Sequence, residues 1–222
     1  MPKTSDPFPY NPVEFNHNEF SLINNLIPIW TDGLCCKSHN CTQTGWGVFF
    51  KEELPCNSSG STSLSQNNFH AELEVIEFAL SVAPNTHGLV IFTDSLSSMQ
   101  LIQSKTVPRN YIEADFVLCI SNLLKSREED MQSVIFTHVY SHVQAKTKRA
   151  SPLKLALMEA QRSALTRKFR DAEAIYKGND QADVLAGDAT LFEPRNFPFP
   201  HLHAHSFLAH TETQDHPSQS IM

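Results

Sequence analysis

No apolar run in the 222-residue chain approaches the length of a bilayer-spanning helix. Phe116 to Ile120 is among the longest, far short of the roughly 20 residues such a helix needs, so no transmembrane helix is expected. Also missing is the apolar core of a secretory signal, since Met1 to Tyr10 is rich in proline instead. The chain is therefore expected in a reducing compartment, cytoplasmic or nuclear, where disulfides do not persist. Cysteine is sparse and odd in number, with five residues. Cys35, Cys36, His39 and Cys41 crowd together and could ligate zinc by type, but no second paired cluster completes a knuckle, and adjacent cysteines fit a tetrahedron poorly. A polar loop between two strands is the simpler expectation. Positive charge is deficient as well: 17 Lys and Arg against 24 Asp and Glu give a net charge of -7, which argues against coating nucleic acid through bulk charge.

What is present suits one soluble domain of about 150 residues with appendages, given 41% hydrophobic and 18% charged residues. The charge is unevenly placed. Lys146, Lys148, Arg149, Lys154, Arg162, Arg167, Lys168, Arg170 and Lys177 lie within 144–177, against only Glu159, Asp171 and Glu173. An acidic body with one basic element fits an enzyme that gathers carboxylates for metal and grips a polyanion elsewhere. A solvated helix face is the plainer reading of the same run.

Residues 1–24 have no helical or strand periodicity and read as an extended lead-in. Ile27 to Asp32 and Gly45 to Lys51 read as two antiparallel strands joined by the cysteine-containing loop, with a weaker strand near Ser61 to Leu64. Phe69 to Val82 has helical spacing in Leu73, Ile76, Ala79 and Leu80, with Asn68 as its expected cap and Pro84 as its stop. Gly88 to Asp94 is the continuous apolar run of a central strand. A short helix over Ser95 to Gln103, an amphipathic one from Tyr111 to about Ser126, and a strand over Ser133 to Tyr140 follow. Ser151 and Pro152 start a helix whose stripe of Leu153, Leu157, Leu165, Phe169, Ala172 and Tyr176 runs for about 25 residues, roughly 37 Å. Gly178 is expected to break it and Asn179 to cap a final helix from Asp180 to Gly187, before a Pro- and His-rich tail over 191–222. Antiparallel strands first and alternating strand and helix after predict an α/β fold, a mixed sheet with helices on its faces.

Several carboxylates brought together from distant parts of a chain are what hard divalent cations require. Asp32 and Asp94 each end a predicted strand, in WTDG and FTDS, where neighbouring parallel strands would bring them close. Helical geometry places Glu72 one turn before Ile76, on the edge of the buried face, and turns Glu74 and Glu77 outward as surface charges. An acid facing a core is costly unless cations compensate it, which marks Glu72 as a candidate ligand. Asp183, one turn into the expected last helix, is a better ligand than Asp180, which is placed to stabilise that helix's N-terminus. Trp30, Trp46 and His138 are expected to be packed.

WTDG with Asp32, NNFHAEL with Glu72, FTDS with Asp94, the SH at His142 and GNDQADVLA with Asp183, in that order, resemble the type 1 ribonuclease H family across residues 27 to 187. The SH, GND and AD elements are similar to the ribonuclease H domains of non-LTR retrotransposons. The resemblance implies a ribonuclease H-like five-stranded mixed sheet flanked by helices, within a catalytic domain over 25–190. It implies two Mg2+ ions, with Mn2+ as a substitute: Asp32 bridges them, Glu72 and Asp94 complete one, and Asp183 completes the other. It assigns His142 to a loop beside the site, for proton transfer or product release. The implied activity is endonucleolytic cleavage of the RNA strand of RNA:DNA hybrids, leaving 5'-phosphate and 3'-hydroxyl ends, by a monomer. Asn67, Asn68, Gln43 and Thr44 are candidate readers of 2'-hydroxyls, and Lys146, Lys148 and Arg149 candidate phosphate contacts. The chain departs from the family between His142 and Asp183, where a usually short stretch holds the long basic helix.

Overall fold

The computed structural model describes residues 22–37, 42–51, 57–62, 67–104, 108–141 and 150–191. Among these, five strands form one sheet: β1 (Leu26–Lys37), β2 (Thr42–Phe49), β3 (Ser58–Ser61), β4 (Gly88–Thr93) and β5 (Val134–His138), in the order β3-β2-β1-β4-β5. β1 pairs antiparallel with β2 and parallel with β4, and β4 pairs parallel with β5. Five helices flank the sheet: α1 (Asn68–Val82), α2 (Leu96–Ser104), α3 (Tyr111–Glu129), α4 (Pro152–Phe169) and α5 (Ala172–Ala189). This is the ribonuclease H-like α/β architecture expected from the sequence. No helix among the described residues is long and apolar enough to cross a membrane.

Alternation along β1 and β4 sorts the core into two layers. Ile27, Ile29, Leu89 and Ile91 face α1, joined by Phe116 and Ile120 of α3. Trp30, Val90 and Phe92 face the opposite side, against Leu165 and Phe169 of α4 and Ile175 and Tyr176 of α5. Trp46 belongs to the first layer and Trp30 to the second, so both tryptophans are core residues, at 5% and 6% exposure.

Several sequence expectations shift. Cys35 and Cys36 stand in β1, not in a loop, because β1 runs on past Asp32 to pair with β2 as far as Lys37. β3 lies a few residues earlier than expected, and His39 and Cys41 fall outside the described residues. The cap of α1 is Asn67, whose side chain accepts from the Phe69 amide at 3.0 Å. The largest change is at the basic helix. Arg170 takes a left-handed conformation (φ 71°) and closes α4, and Asp171 caps α5 by accepting from the Ala174 amide at 3.0 Å. The two expected helices are both present, but the break between them falls at Arg170, eight residues before Gly178.

Leu153 and Leu157, expected in the buried stripe, are 72% and 49% exposed. The face that α4 turns inward carries Met158, Leu165 and Phe169, with half-buried Gln161 between them.

Gly178 and Asn179 lie inside α5 and are buried. Gly178 is needed there for close packing: a Cβ would be driven into the Trp30 indole, itself held between Phe49 and Phe92 at centroid distances of 5.8 and 5.3 Å. Gly178→Ala should lower stability by about 1–2 kcal/mol, overpacking outweighing a helix-propensity gain of about 1 kcal/mol. Urea unfolding checks this, and a midpoint equal to or above wild type would mean that Trp30 moves aside freely.

Candidate metal centre

The site begins where the β1–β4 pairing ends. Thr31 and Thr93 are the last partners in that parallel register, so Asp32 and Asp94 leave the two strands side by side. Asp32 is not at a strand end, as its motif suggested, but in mid-strand, at the point where β4 stops and β1 continues beside β2 alone. It is buried, and Asp94, at the turn into α2, is half-buried.

Glu72 reaches this point because α1 lies unusually close to β1. A Cβ on Gly33 would stand 2.6 Å from the Glu72 amide nitrogen and 3.0 Å from its Cγ, so the glycine after Asp32 is what lets the helix approach. The Gly33 amide donates to the Glu72 carboxylate. Single carboxylate oxygens of Asp32, Glu72 and Asp94 lie within 4.8 Å of one another, the arrangement a metal ion needs.

Asp183 joins from the other layer. α5 crosses β2 over Gly45 and Gly47, where Cβ atoms would collide with the Ala186 and Ala182 carbonyls. With alanines on the helix and glycines on the strand, α5 settles low enough for the Asp183 carboxyl to come within hydrogen-bonding reach of Asp32. Asp183 lies well inside α5, since the helix starts at Ala172.

The electrostatics follow from that crowding. Burial, reinforced by the charges of Asp94 and Asp183, raises the Asp32 carboxyl from its ordinary 3.8 to about 9. Burial, then Asp32 and Asp94, likewise raise Glu72 well above its ordinary 4.5, with the Gly33 hydrogen bond pulling the other way. Glu72 Oε2 is buried without a hydrogen-bond partner. An unpaired buried carboxylate oxygen beside two further carboxylates fits a divalent cation, and the all-oxygen donor set suits hard ions.

Glu74 and Glu77 do not face solvent. They are 3% and 8% exposed, because α3 covers the back of α1 and every residue from His70 to Glu77 is buried. Glu74 Oε1 accepts from Trp46 Nε1 at 3.0 Å. The Thr62 hydroxyl faces the same carboxyl but falls short of hydrogen-bond geometry. Burial, with Glu74 nearby, raises Glu77 to about 7, opposed by a hydrogen bond from Cys119. The two glutamates thus form a polar seam between α1, β2 and α3, separate from the carboxylates around Asp32.

Of the other sequence candidates, Asn67 is occupied as the α1 cap, while Asn68 and Gln43 are exposed. Thr44 is 1% exposed, which takes its hydroxyl off any open groove. His142, Lys146, Lys148 and Arg149 lie outside the described residues. Sequence reasoning missed Gly33 as a determinant of the site, although its place directly after Asp32 was the available signal. His138 is half-buried with its ring against the Asp94 main chain. Burial lowers its pKa, and Asp94 opposes that.

Among solved structures, the chain is similar to RNase H1 from the halophilic archaeon Halobacterium salinarum, at 15% identity over 73% of this chain and 95% of that one, with a TM-score of 0.43. It is also similar to LC11-RNase H1 isolated from compost, at 18% identity over 75% and 96% of the two chains, TM-score 0.47. A foamy viral protease-reverse transcriptase in complex with dsDNA matches at 17% identity over 77% and 98%, TM-score 0.47. No curated protein matches the chain. The RNase H family model matches residues 24–191, well over half of the sequence, and the chain belongs to the RNase H family.

Proposed function

We propose that the chain is a divalent-metal-dependent endoribonuclease that hydrolyses the RNA strand of RNA:DNA hybrids, leaving 5'-phosphate and 3'-hydroxyl ends. The observation that carries this reading is the meeting of the Asp32, Glu72 and Asp94 carboxylates, one of which has a buried, unpartnered oxygen, with Asp183 joined through Asp32. Asp32, Glu72 and Asp94 would hold one ion, and Asp32 with Asp183 a second. Mg2+ is the ion proposed, with Mn2+ as a substitute. When bound, such ions supply activation of water and neutralisation of charge on the scissile phosphate.

The chain's own residues do the rest. Asp32 must give up its proton on loading, and Gly33 holds Glu72 in place through its amide. His142 is proposed, on the family resemblance alone, to move a proton near the reacting phosphate. Lys154, Arg162, Arg167 and Lys168 are exposed on α4, and with Lys146, Lys148 and Arg149 before it they are the proposed contacts to the hybrid's phosphates. Asn68 and Gln43, both exposed, remain the proposed 2'-hydroxyl readers, whereas the Asn67 side-chain oxygen is taken by the Phe69 amide. The catalytic unit is proposed as residues 25–190 acting as a monomer. Kinship with retrotransposon ribonuclease H domains rests on the SH, GND and AD elements alone.

The direct test is a labelled RNA:DNA hybrid incubated with Mg2+ or with EDTA, beside duplex RNA and duplex DNA. Cleavage of the RNA strand of the hybrid, dependent on Mg2+ and abolished in Asp32→Asn and Asp94→Asn proteins that remain folded, is expected. Hybrid binding without cleavage would point to an inactive module and contradict the reading.

A second outcome concerns pH. A carboxyl whose folded pKa is raised favours folding while protonated, so its contribution is full below the unfolded value and is lost as pH rises through the folded one. For Asp32 that window runs from 3.8 to about 9. Thermal melts of the metal-free protein should therefore fall as pH rises from about 5 to 9. Added Mg2+ or Mn2+ should raise the melting temperature by an increment that grows with pH, and Asp32→Asn should remove most of that increment. A metal increment independent of pH would contradict it.

A further inference from the structure

Beside the apolar packing of Val139 and Ile135 in the cluster of Leu165 and Phe169, α4 meets the end of β5 through a polar contact, the Gln161 amide. Gln161 points inward from α4, and both ends of its side chain are engaged. Its Oε1 accepts from the Tyr140 amide at 2.9 Å and lies 3.4 Å from the Tyr176 hydroxyl of α5, a donor to it. Its Nε2 donates to the His138 carbonyl at 3.1 Å and faces His138 Nδ1 at 3.4 Å. The two main-chain partners fix which end of the amide is oxygen, because the Tyr140 N–H needs an acceptor and the His138 carbonyl a donor. Donation to Nδ1 then leaves Nε2 as the proton-bearing nitrogen of a neutral His138 ring.

The segment gripped in this way borders the carboxylates. The Val139 amide donates to the Thr93 carbonyl at 2.9 Å, so residues 138–140 pair with the last residue before Asp94. The His138 ring lies against the Asp94 main chain. The aromatic faces of His138 and Tyr140 meet edge-on at 5.2 Å, which keeps the two side chains in one arrangement. Ser141, the residue before His142 in the sequence, follows directly on the residues that Gln161 holds.

We propose that Gln161 is a positioning residue for the metal centre: from α4 it clamps residues 138–140 at the end of β5, and through them fixes the main chain that presents Asp94. The basic helix would thus serve the site twice, with its outer face toward phosphate and one inner side chain as a strut behind a ligand. The inference rests on reading the carboxylates as the metal centre of a nuclease. Groups that orient metal ligands without touching the ion typically matter at the level of 10- to 100-fold in metal affinity or activity.

The test uses the full chain with Gln161→Leu and Gln161→Glu. The leucine keeps most of the volume and makes none of the hydrogen bonds. The glutamate keeps the oxygens facing Tyr140 and Tyr176 but loses the donor to His138. Mn2+ affinity is read by calorimetry, and kcat and KM are read on an RNA:DNA hybrid. For Gln161→Leu the expected result is about a tenfold loss in kcat and in Mn2+ affinity, with hybrid KM nearly unchanged and Gln161→Glu intermediate. A Gln161→Leu protein that melts earlier but, below its transition, binds Mn2+ and turns over like wild type has lost only packing, and overturns the proposal. If Gln161→Leu does not fold, the same two readouts on Gln161→Glu decide it, with wild-type values overturning the proposal. If wild type binds Mn2+ but cleaves no hybrid, the substrate reading falls while the Mn2+ affinities still decide the role of Gln161. A wild-type protein that binds no Mn2+ overturns both.

Discussion

Carboxylates drawn from β1, α1, the end of β4 and α5 repel one another in a partly dry cleft, and the rest of the fold is organised around holding them there. At separations of no more than 4.8 Å and an effective dielectric of about 20, two full charges repel by roughly 3 kcal/mol or more. Three fully ionised neighbours would therefore cost roughly 10 kcal/mol, as much as the whole stability of an ordinary domain. The metal-free protein avoids this by keeping protons, which is the physical meaning of an Asp32 carboxyl raised to about 9. A cation removes the same repulsion by a different route. The centre is thus poised between proton and metal.

Close approach of backbones makes the cluster possible. Gly33 lets α1 come down on β1, and Gly45 and Gly47 let α5 come down on β2. On the far side of α1, Arg127 of α3 donates to the carbonyls of Leu80, Ala83 and Pro84. That bond set closes the C-terminal end of the helix whose first turns carry Glu72 and anchors its axis. The result is a rigid support on which Glu72 is presented, with Glu74 and Glu77 buried alongside. Their carboxyls bind the Trp46 indole and the Cys119 thiol, so they join α1 to β2 and α3.

Much of this was legible in the sequence because it depends on local pattern. β4 read as a buried strand from its unbroken apolar run, α1 and α3 from their periodicity, and Asp32 and Asp94 from the apolar runs that lead into them, although β1 runs on past Asp32. What was not legible depended on tertiary partners. Glu74 and Glu77 looked like surface charges because a one-sided helix was assumed, and nothing local announces that α3 covers the second side. Gly178 looked like a helix breaker because its neighbour in space, Trp30, lies some 150 residues away. The break came instead at Arg170, where the left-handed turn and the Asp171 cap act together. Gln161 carried no signal at all: an amide in a charged helix stands out only once β5 is seen beside it.

The central claim is that these carboxylates form a cation-binding centre whose metal-free form holds protons. Calorimetric titration of Mn2+ at pH 7 in buffers of different ionisation enthalpy tests it most directly, because binding that displaces protons carries a buffer-dependent heat. The account predicts saturable binding with release of about one proton or more, lost in Asp32→Asn. Binding with a heat independent of buffer, or no binding to the folded protein, would contradict it.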